Sequence, residues 1–367
     1  MAVNKSTDKT KDGRQWYFTM YINGKKYKSK KYATKREASD AEILFKKENE
    51  NKDYEAHKIT FNEAIKDYLE AEKEKTKPST YRQEIKLCEH IAGSLGPIVI
   101  EKLTVNQYKQ FRSNLLSKGL SIPYCNKIIN HCKSVLKLAY VRYGAITRVP
   151  EGFDALKDNS IKKEIEFYTP DEFKAFLGAI DRSDYRNIKW YAFFVVSYYM
   201  GTRCGENNAL TWKDIDFDKR TISINKTVNT KMKDGAGNYL VGSPKTKGSY
   251  RVLPMPNNVY NALKALKQLY MKYEGFKEDW YCYGGIKPLS ETNIHKYNKM
   301  FSEAASIKTI SVHGYRHSCC SYLLNKGCNI LLISKYLGHT DTQKALNTYS
   351  HLMPNQLDEA VELLNLL

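Results

Sequence analysis

Apolar residues recur at helical spacing through the middle of the chain. A capping box that begins at Thr60 precedes apolar residues spaced three or four apart, which predicts an amphipathic helix. A proline break at Pro78 starts a second helix, a capping box at Thr104 starts a third, and a fourth is predicted over 121–143. Four short helices within about 85 residues are typical of an independent helical bundle, here 58–143.

The N-terminal segment alternates apolar and polar residues as a β-strand does. The run RQWYFTMY, residues 14–21, predicts a strand, and the dipeptide Asn23-Gly24 after it predicts a type I′ turn. The lysine-rich run KKYKSKKY, residues 25–32, predicts a second strand, and a capping box at Thr34 predicts a helix over 35–50. We therefore expect a small basic sheet with one helix packed on it.

The last part of the chain is predicted to be mostly helical. A threonine N-cap followed by proline, Thr169-Pro170, marks a strong helix start. The region 220–255 is an exception, because TISI, glycine-rich turns and YRVLPM predict two or three strands in a hairpin. The predicted fold class is α+β and mainly helical. The predicted domains are a small basic β-sheet plus helix at 1–55, a four-helix domain at 58–143, a linker at 144–166 and a mixed helical domain with a β-hairpin region at 167–367.

Charge and composition narrow the possible partners. The 367 residues include 59 Lys+Arg against 40 Asp+Glu, a formal net charge of +19, and 42% of them are hydrophobic. The apolar content excludes general disorder, and the charge indicates a polyanion such as nucleic acid. The basic N-terminal hairpin is either a solubilising surface or, because Trp16, Tyr17 and Phe18 stand beside its lysines, a reader of a DNA groove.

Cysteine usage and the N-terminus indicate an intracellular protein. No apolar run approaches the roughly 18 residues that span a bilayer, and the start of the chain lacks a signal-peptide pattern. The eight cysteines form no CxxC pair, which predicts reduced thiols rather than disulfides or a zinc module. Cys319 and Cys320 have apolar neighbours and are predicted to be core thiols rather than nucleophiles.

Two arginines stand beside helix ends in the last part of the chain. Arg203 follows an apolar helix, so it needs either an anion or a carboxylate such as Glu206. His313 and Arg316 are three residues apart at a helix start, share one face, and lie where the helix N-terminus favours a phosphate. A zinc site built on His313 and His317 would lack a clear third ligand.

Three further side chains complete a chemical set. Lys245 stands in a basic PKTKG turn, His339 in the tripeptide LGH, and Tyr349 ten residues beyond it. A lone basic turn is ordinarily solvated and a lone tyrosine is ordinarily structural. Together with the two arginines and His313, however, they supply what metal-free phosphodiester cleavage needs. These needs are cations that neutralise the phosphate oxygens, an activated phenol and a proton donor for the leaving oxygen. Walker loops and paired carboxylates for metal chemistry are missing from the sequence.

The order of these motifs (GTRCGE, PKTK, HGYRH, LGH and a downstream tyrosine) resembles the tyrosine recombinase, or integrase, family over roughly residues 165–350. The segment 1–55 is similar to the arm-type DNA-binding domain of integrases from temperate phages and conjugative transposons. The segment 58–143 resembles the helical core-binding domain of the family, and 167–367 would be the catalytic domain with a C-terminal tail helix.

The resemblance implies site-specific DNA recombination through a 3′-phosphotyrosyl intermediate, without metal or nucleotide cofactor. Lys247 is an alternative to Lys245 as the acid. The implied catalytic roles are phosphate binding by Arg203 and Arg316, general acid catalysis by Lys245, base or relay function for His313, a phosphate hydrogen bond from His339, nucleophilic attack by Tyr349 and support from Glu206. The implied arm contacts are Arg14, Lys25, Lys26, Lys28, Lys30 and Lys31.

The resemblance also implies partners and a location. These are double-stranded DNA with core-type and arm-type sites, a homo-tetramer that passes through a Holliday junction, a directionality factor and a DNA-bending protein, in the bacterial cytoplasm with the nucleoid. Two alternatives stay open from the residues alone. A non-catalytic DNA-binding regulator would share the basic charge, and a type IB topoisomerase would share the chemistry.

Overall fold

The computed structural model divides the chain into two compact units, residues 1–161 and 162–367. The mainly helical α+β fold class predicted from the sequence is confirmed. Within the described ranges, no helix is long and apolar enough to cross a membrane. The structure describes residues 2–8, 10, 12–22, 25–50, 59–145, 154–158, 166–234, 237–243, 250–338, 361 and 364–365.

A three-stranded antiparallel sheet and one helix form the N-terminal part. The strands pair in the order β1-β2-β3, and both predicted strands and the predicted helix are present. The first strand is not predicted by the sequence pattern, because four residues are too few to show an alternation. The predicted Asn23-Gly24 turn lies outside the described residues. The elements are β1 (Ala2–Lys5), β2 (Trp16–Ile22), β3 (Lys25–Lys28) and α1 (Lys35–Glu50).

The two faces of this sheet differ. On one face Phe18 is buried, and its ring centre lies 5.6 Å from that of Phe45 on α1 and 6.3 Å from that of Tyr27. Side chains alternate along a strand, so Tyr17 lies on the other face, where Lys28 Nζ is 4.3 Å from its ring centre. Phe18 is therefore a core residue and not part of a DNA-reading surface, which corrects the interpretation of this aromatic run.

The four predicted helices of the bundle are present among the described residues of the first unit. Thr60 and Thr104 make the predicted capping boxes, since each hydroxyl accepts a hydrogen bond from the backbone N–H three residues on. The helices share one buried core, which contains Phe61, Ile91 and Phe111. Their bounds are α2 (Phe61–Lys73), α3 (Pro78–Leu95), α4 (Val105–Ser117) and α5 (Ile122–Tyr143).

Part of the segment predicted as a linker packs on this bundle. Ala145 is buried in the bundle core, and Leu156 packs against the same core. Asn126 on α5 binds both backbone groups of Leu156: its Nδ2 donates to the carbonyl at 2.9 Å, and its Oδ1 accepts from the N–H at 2.6 Å. Leu156 is therefore fixed to α5 by two hydrogen bonds.

The second unit is built around one buried helix. Nine residues of α7, on all sides of the helix, are buried, which is typical of a central core helix. The predicted helix start at Thr169 is confirmed, with a reciprocal capping box between Thr169 and Glu172. The described helices are α6 (Pro170–Gly178), α7 (Tyr185–Met200), α8 (Cys204–Asn208), α9 (Asn257–Tyr270), α10 (Glu291–Ala304), α11 (Gly314–Asn325) and α12 (Ile330–Leu337).

Two small sheets occupy the region where the sequence predicts one hairpin. One sheet has the antiparallel order β4-β5-β8, and the other is the pair β6-β7. The region has more strands than predicted, because five of the seven residues of β6 are polar and give little apolar alternation. The strands are β4 (Ile215–Asp216), β5 (Thr221–Ile224), β6 (Thr227–Lys233), β7 (Tyr239–Gly242) and β8 (Arg251–Pro254).

Candidate active site

A sharp corner at the end of α7 positions the first arginine. Gly201 ends the helix with a φ of 55°, and a Cβ at this position would come within 2.4 Å of Leu337 Cδ2 on α12. Glycine is the residue that combines this left-handed backbone with so close an approach. The corner leads directly into α8, whose N-cap residue is Arg203.

Arg316 reaches the same corner from α11. Its Nη1 donates to the Gly201 carbonyl at 2.8 Å, and the residue is 1% exposed. Arg316 lies in the first turn of α11, and His313 is the N-cap residue of that helix, as the HGYRH pattern predicts. A carbonyl partner orients the guanidinium, and this contact leaves its positive charge intact.

Arg203 is held by a carboxylate on α8. Its Nη1 lies 2.6 Å from Glu206 Oε1, and its backbone N–H donates to Glu206 Oε2 at 3.2 Å. Its Nη2 reaches the Gly338 carbonyl, just beyond α12, at 3.4 Å. The Arg203–Glu206 ion pair that the sequence suggests as a structural alternative is thus present. The side chain of Arg203 nevertheless stays 35% exposed, so pairing and anion binding are compatible.

A second arginine shares the same carboxylate. Arg251, the first residue of β8, places Nη2 3.1 Å from Glu206 Oε2 and donates from Nε to the Tyr336 carbonyl at 3.0 Å. Burial alone would raise the pKa of Glu206, but Arg251 and Arg203 outweigh it, so that this pKa lies below its ordinary value. Glu206 is therefore ionised at neutral pH.

His313, the N-cap residue of α11, is close enough to Arg316 and Arg203 to feel the charge of both. The residue is exposed, and its ring meets the ring of His317 edge-on, with 4.8 Å between centres. Desolvation by the surrounding protein, reinforced by Arg316 and Arg203, lowers the pKa of His313 from its ordinary 6.5. The imidazole is therefore neutral at physiological pH and can accept a proton.

The cluster thus combines three guanidinium groups with one carboxylate. This excess of positive charge lies beside the N-terminus of α11, and both features suit an anion such as a phosphodiester group. A neutral imidazole next to the anion can move a proton. The arrangement can therefore stabilise charge on a phosphate and assist proton transfer there.

Four of the predicted catalytic and supporting residues are brought together: Arg203, Glu206, His313 and Arg316. The other three predicted residues, Lys245, His339 and Tyr349, lie outside the described residues. Two of their flanks are described. Gly338 immediately precedes His339, and β8, the first described strand after Lys245 in the sequence, begins at Arg251. Both flanks contact the Arg203–Glu206 pair.

Arg251 is the member of the cluster that the sequence reasoning misses, because YRVLPM is interpreted only as a strand. A usable signal exists in the same six letters. Arg251 and Leu253 are two residues apart in β8, so their side chains share a face, and Leu253 is buried. A charged residue on the buried face of a strand requires a partner, here Glu206.

The described residues also bear on the other sequence hypotheses. Within the described part of the chain, no group of three or more His, Cys, Asp or Glu side chains could hold a metal ion, so His313 and His317 gain no third ligand there. Burial raises the pKa of the Cys319 thiol to about 12, and Cys320 is fully buried. Both cysteines belong to the apolar cluster between α11 and α12, as predicted.

We predict that Glu206→Ala lowers the free energy of unfolding by about 3 kcal/mol, because it removes the shared carboxylate from two arginines. This is the low end for a broken buried pair, since Arg203 is partly exposed. Urea unfolding followed by tryptophan fluorescence measures the loss. The control is Glu303→Ala, which removes an exposed partner of Lys299 and should cost less than about 1 kcal/mol. Equal losses would contradict the importance of the shared carboxylate.

Comparison with known proteins identifies the family. Residues 166–356 match the model of the Phage integrase family, and residues 60–116 match that of the phage integrase N-terminal SAM-like domain. The chain is similar to the ICEBs1 integrase of Bacillus subtilis (strain 168), at 27% identity over 361 residues and 94% of each chain. It is also similar to a tyrosine recombinase XerC-like protein of Caldanaerobacter subterraneus, at 24% identity and 98% of each chain.

Solved structures share the fold. The Tn1549 transposon integrase in complex with a circular intermediate DNA has a TM-score of 0.69 at 22% identity, over 83% of this chain and 99% of that one. A lambda integrase tetramer bound to a Holliday junction has a TM-score of 0.56 at 14% identity, over 91% of this chain and 95% of that one. Because the family model matches more than half of its residues, the chain belongs to the phage integrase family and is a tyrosine recombinase of the integrase type.

Proposed function

We propose that this chain is a site-specific DNA recombinase that integrates or excises a mobile element or prophage. It cleaves and rejoins DNA through a 3′-phosphotyrosyl intermediate, with no metal or nucleotide cofactor. Relatives named ICEBs1 integrase and transposase from transposon Tn916 support the proposal. The observation that carries it is the convergence of Arg203, Arg316 and His313 within the segment that matches the family model.

The two arginines bind the scissile phosphate in this proposal. When a nucleophile attacks phosphorus, negative charge builds on the non-bridging oxygens, and cations that are already in place stabilise it without reorganising. Arg316 is buried and fixed on the Gly201 carbonyl, whereas Arg203 keeps part of its side chain exposed. One cation would therefore be rigid, and the other would be accessible to DNA.

Tyr349 is the proposed nucleophile. A phenol has a pKa near 10 and is a weak nucleophile at neutral pH, so it needs cations and a base nearby. His313, with its lowered pKa, would take the phenolic proton or relay it. The Tyr349 oxygen bonds to phosphorus while the bond to the 5′-oxygen breaks. One ester replaces another, so rejoining requires no nucleotide.

Lys245 and His339 complete the proposed chemistry. Lys245 protonates the leaving 5′-oxygen, with Lys247 as the alternative donor in the same turn, and His339 donates a hydrogen bond to a phosphate oxygen. Two contacts support these roles. Gly338, next to His339, accepts a hydrogen bond from Arg203, and the strand that follows the lysine turn begins with the partner of Glu206.

Double-stranded DNA would meet the chain at several surfaces. The SAM-like domain match at 60–116 supports binding of core-type sites by the helical bundle. The N-terminal sheet would bind arm-type sites, and two of its exposed lysines, Lys28 and Lys30, lie 4.3 and 5.8 Å from tyrosine ring centres. The proposed arm contacts are Arg14, Lys25, Lys26, Lys28, Lys30 and Lys31.

The proposed assembly is a homo-tetramer on DNA that passes through a Holliday junction. A solved relative, lambda integrase, forms a tetramer bound to such a junction. A directionality factor and a DNA-bending protein would set the direction of the reaction. An enzyme with these partners would work in the bacterial cytoplasm, in contact with the nucleoid.

The function is tested on a nicked suicide substrate that carries the DNA ends of the element. The wild-type chain should form a protein–DNA adduct that resists denaturation, and it should exchange strands between two defined sites. Specific binding without an adduct would favour a non-catalytic regulator instead. Relaxation of supercoiled DNA without strand exchange would favour a type IB topoisomerase.

We predict that Tyr349→Phe lowers the rate of adduct formation by at least about 10³-fold, because it removes only the attacking oxygen. Its DNA affinity should remain that of the wild type, as measured by gel shift. The matched control is Tyr322→Phe, which makes the same change at an exposed position on α11 and should cleave normally. Cleavage by Tyr349→Phe would mean that another residue attacks the phosphate.

We predict that the cleavage rate falls on the acid side with an apparent pKa below 6.5. The base must be neutral, and the protein lowers the pKa of His313, so protonation stops the reaction only at a pH below the ordinary value for histidine. Initial rates of adduct formation between pH 5 and 8 measure this limb. The hypothesis fails if the limb is centred above 6.5, or if His313→Asn leaves its position unchanged.

We predict that replacing Lys25, Lys26 and Lys28 with alanine weakens binding to arm-type DNA. The slope of log K against log salt should become shallower by up to about 0.9 for each phosphate that the variant no longer neutralises. Fluorescence anisotropy at several salt concentrations measures both quantities. Core-type DNA is the internal control. An equal loss of affinity on both DNAs would show that the N-terminal sheet is not a separate reader.

A further inference from the structure

Arg251 belongs to the cluster, yet the catalytic scheme gives it no task. Its guanidinium faces Glu206 and the Tyr336 carbonyl, and its side chain is 7% exposed. A buried arginine costs free energy unless its contacts offset that cost, so its presence calls for a reason. We propose that Arg251 is a positioning residue for the recombination chemistry, which fixes Arg203 through Glu206.

The carboxylate of Glu206 is fixed at both of its oxygens. Arg203 holds Oε1 through Nη1 at 2.6 Å. Oε2 accepts from the backbone N–H of Arg203 at 3.2 Å and is paired with Arg251 Nη2 at 3.1 Å, the side-chain cation on this oxygen. A carboxylate that is bound on both sides cannot rotate freely. Glu206 Oε1 therefore points toward Arg203 in one fixed direction. This oxygen orients the guanidinium of Arg203, which is partly exposed and would otherwise be flexible.

The second contact of Arg251 extends the effect to another segment. Its Nε binds the Tyr336 carbonyl at 3.0 Å, near the end of α12, and two residues later the Gly338 carbonyl accepts from Arg203 at 3.4 Å. The same guanidinium thus sets the Arg203 side chain against the backbone that leads into the LGH motif. Arg251 is itself anchored, because it pairs with Ile224 in the β5–β8 ladder.

The geometry requires arginine rather than any cation. The two partners of Arg251 lie in different directions and are bound by two different nitrogens of one planar group. Lysine carries its charge on a single atom and could satisfy Glu206 or the Tyr336 carbonyl, but not in the same fixed geometry. Charge alone should therefore restore only part of the function.

The inference rests on the proposed recombinase function and concerns the chemical step. A misplacement of about 1 Å at a catalytic group can cost on the order of 10² in rate. Arg251→Met should therefore slow single-turnover adduct formation on the suicide substrate by about 10²-fold. Arg251→Lys should slow it by roughly tenfold. Affinity for core-type DNA should stay unchanged in both variants, because the Arg251 side chain is only 7% exposed.

A matched control separates positioning from general loss of an arginine–carboxylate pair. Arg186 pairs with Asp184 at 2.8 Å on the exposed start of α7. Arg186→Met removes an exposed arginine–carboxylate pair from the same unit and should cleave at the wild-type rate.

A double-mutant cycle tests whether Arg251 acts through Arg203. Arg203→Lys replaces the planar guanidinium that Glu206 orients with a single ammonium group. In this background, adding Arg251→Met should slow the reaction by less than about threefold. A structural role elsewhere would give independent effects, so that the full loss from Arg251→Met would appear again in this background. That multiplicative outcome would overturn the proposal.

The remaining outcomes are also decisive. If Arg251→Met does not fold, Arg251→Lys carries the test, and cleavage by it at the wild-type rate overturns the proposal. Slower cleavage by Arg251→Lys with unchanged DNA affinity and thermal midpoint supports it. If the wild-type chain itself forms no adduct, the proposed function fails before this inference is reached, and the two failures are thereby distinguished.

Discussion

The shared carboxylate of Glu206 is the interaction on which the rest of the site depends. Glu206 is 3% exposed and Arg251 nearly as deeply buried, so either charge alone would be costly to bury. Together with Arg203 they compensate one another, and the group joins α8, β8 and the end of α12. The cations of the site are thus held in position by a protein carboxylate and by backbone carbonyls.

The aromatic core explains why this cluster can be rigid. Tyr315 lies between His313 and Arg316 in the sequence, is fully buried, and donates to Asn298 Oδ1 at 2.6 Å. Its ring packs among the aromatic side chains of α6 and α7. The core therefore also holds the backbone of the residues on either side of Tyr315 in place. The carbonyl of Gly201, at the end of α7, lies within hydrogen-bonding distance of Arg316.

The sequence predicts most of the helices but only part of the described cluster, for physical reasons. The capping boxes at Thr60 and Thr104 and the threonine–proline start at Thr169 are local signals, and each helix begins directly after its cap. Arg203 is found because a charged group at a helix end needs a partner. The buried strand face signals that Arg251 needs a partner, but the sequence does not show which residue it is, because Glu206 lies 45 residues away and only the tertiary fold brings the two together.

The two ends of the Arg203 guanidinium differ in a way that fits phosphate binding. Nη1 makes a short, charged contact with Glu206, whereas Nη2 makes a long one, 3.4 Å, to the neutral carbonyl of Gly338. A phosphate oxygen is a much stronger acceptor than a carbonyl at that distance. In the proposed mechanism Nη2 would therefore bind the phosphodiester, and because this nitrogen carries two N–H groups it can do so while the Glu206 and Gly338 contacts persist. The carboxylate and the carbonyl would then fix the direction in which the guanidinium meets the phosphate.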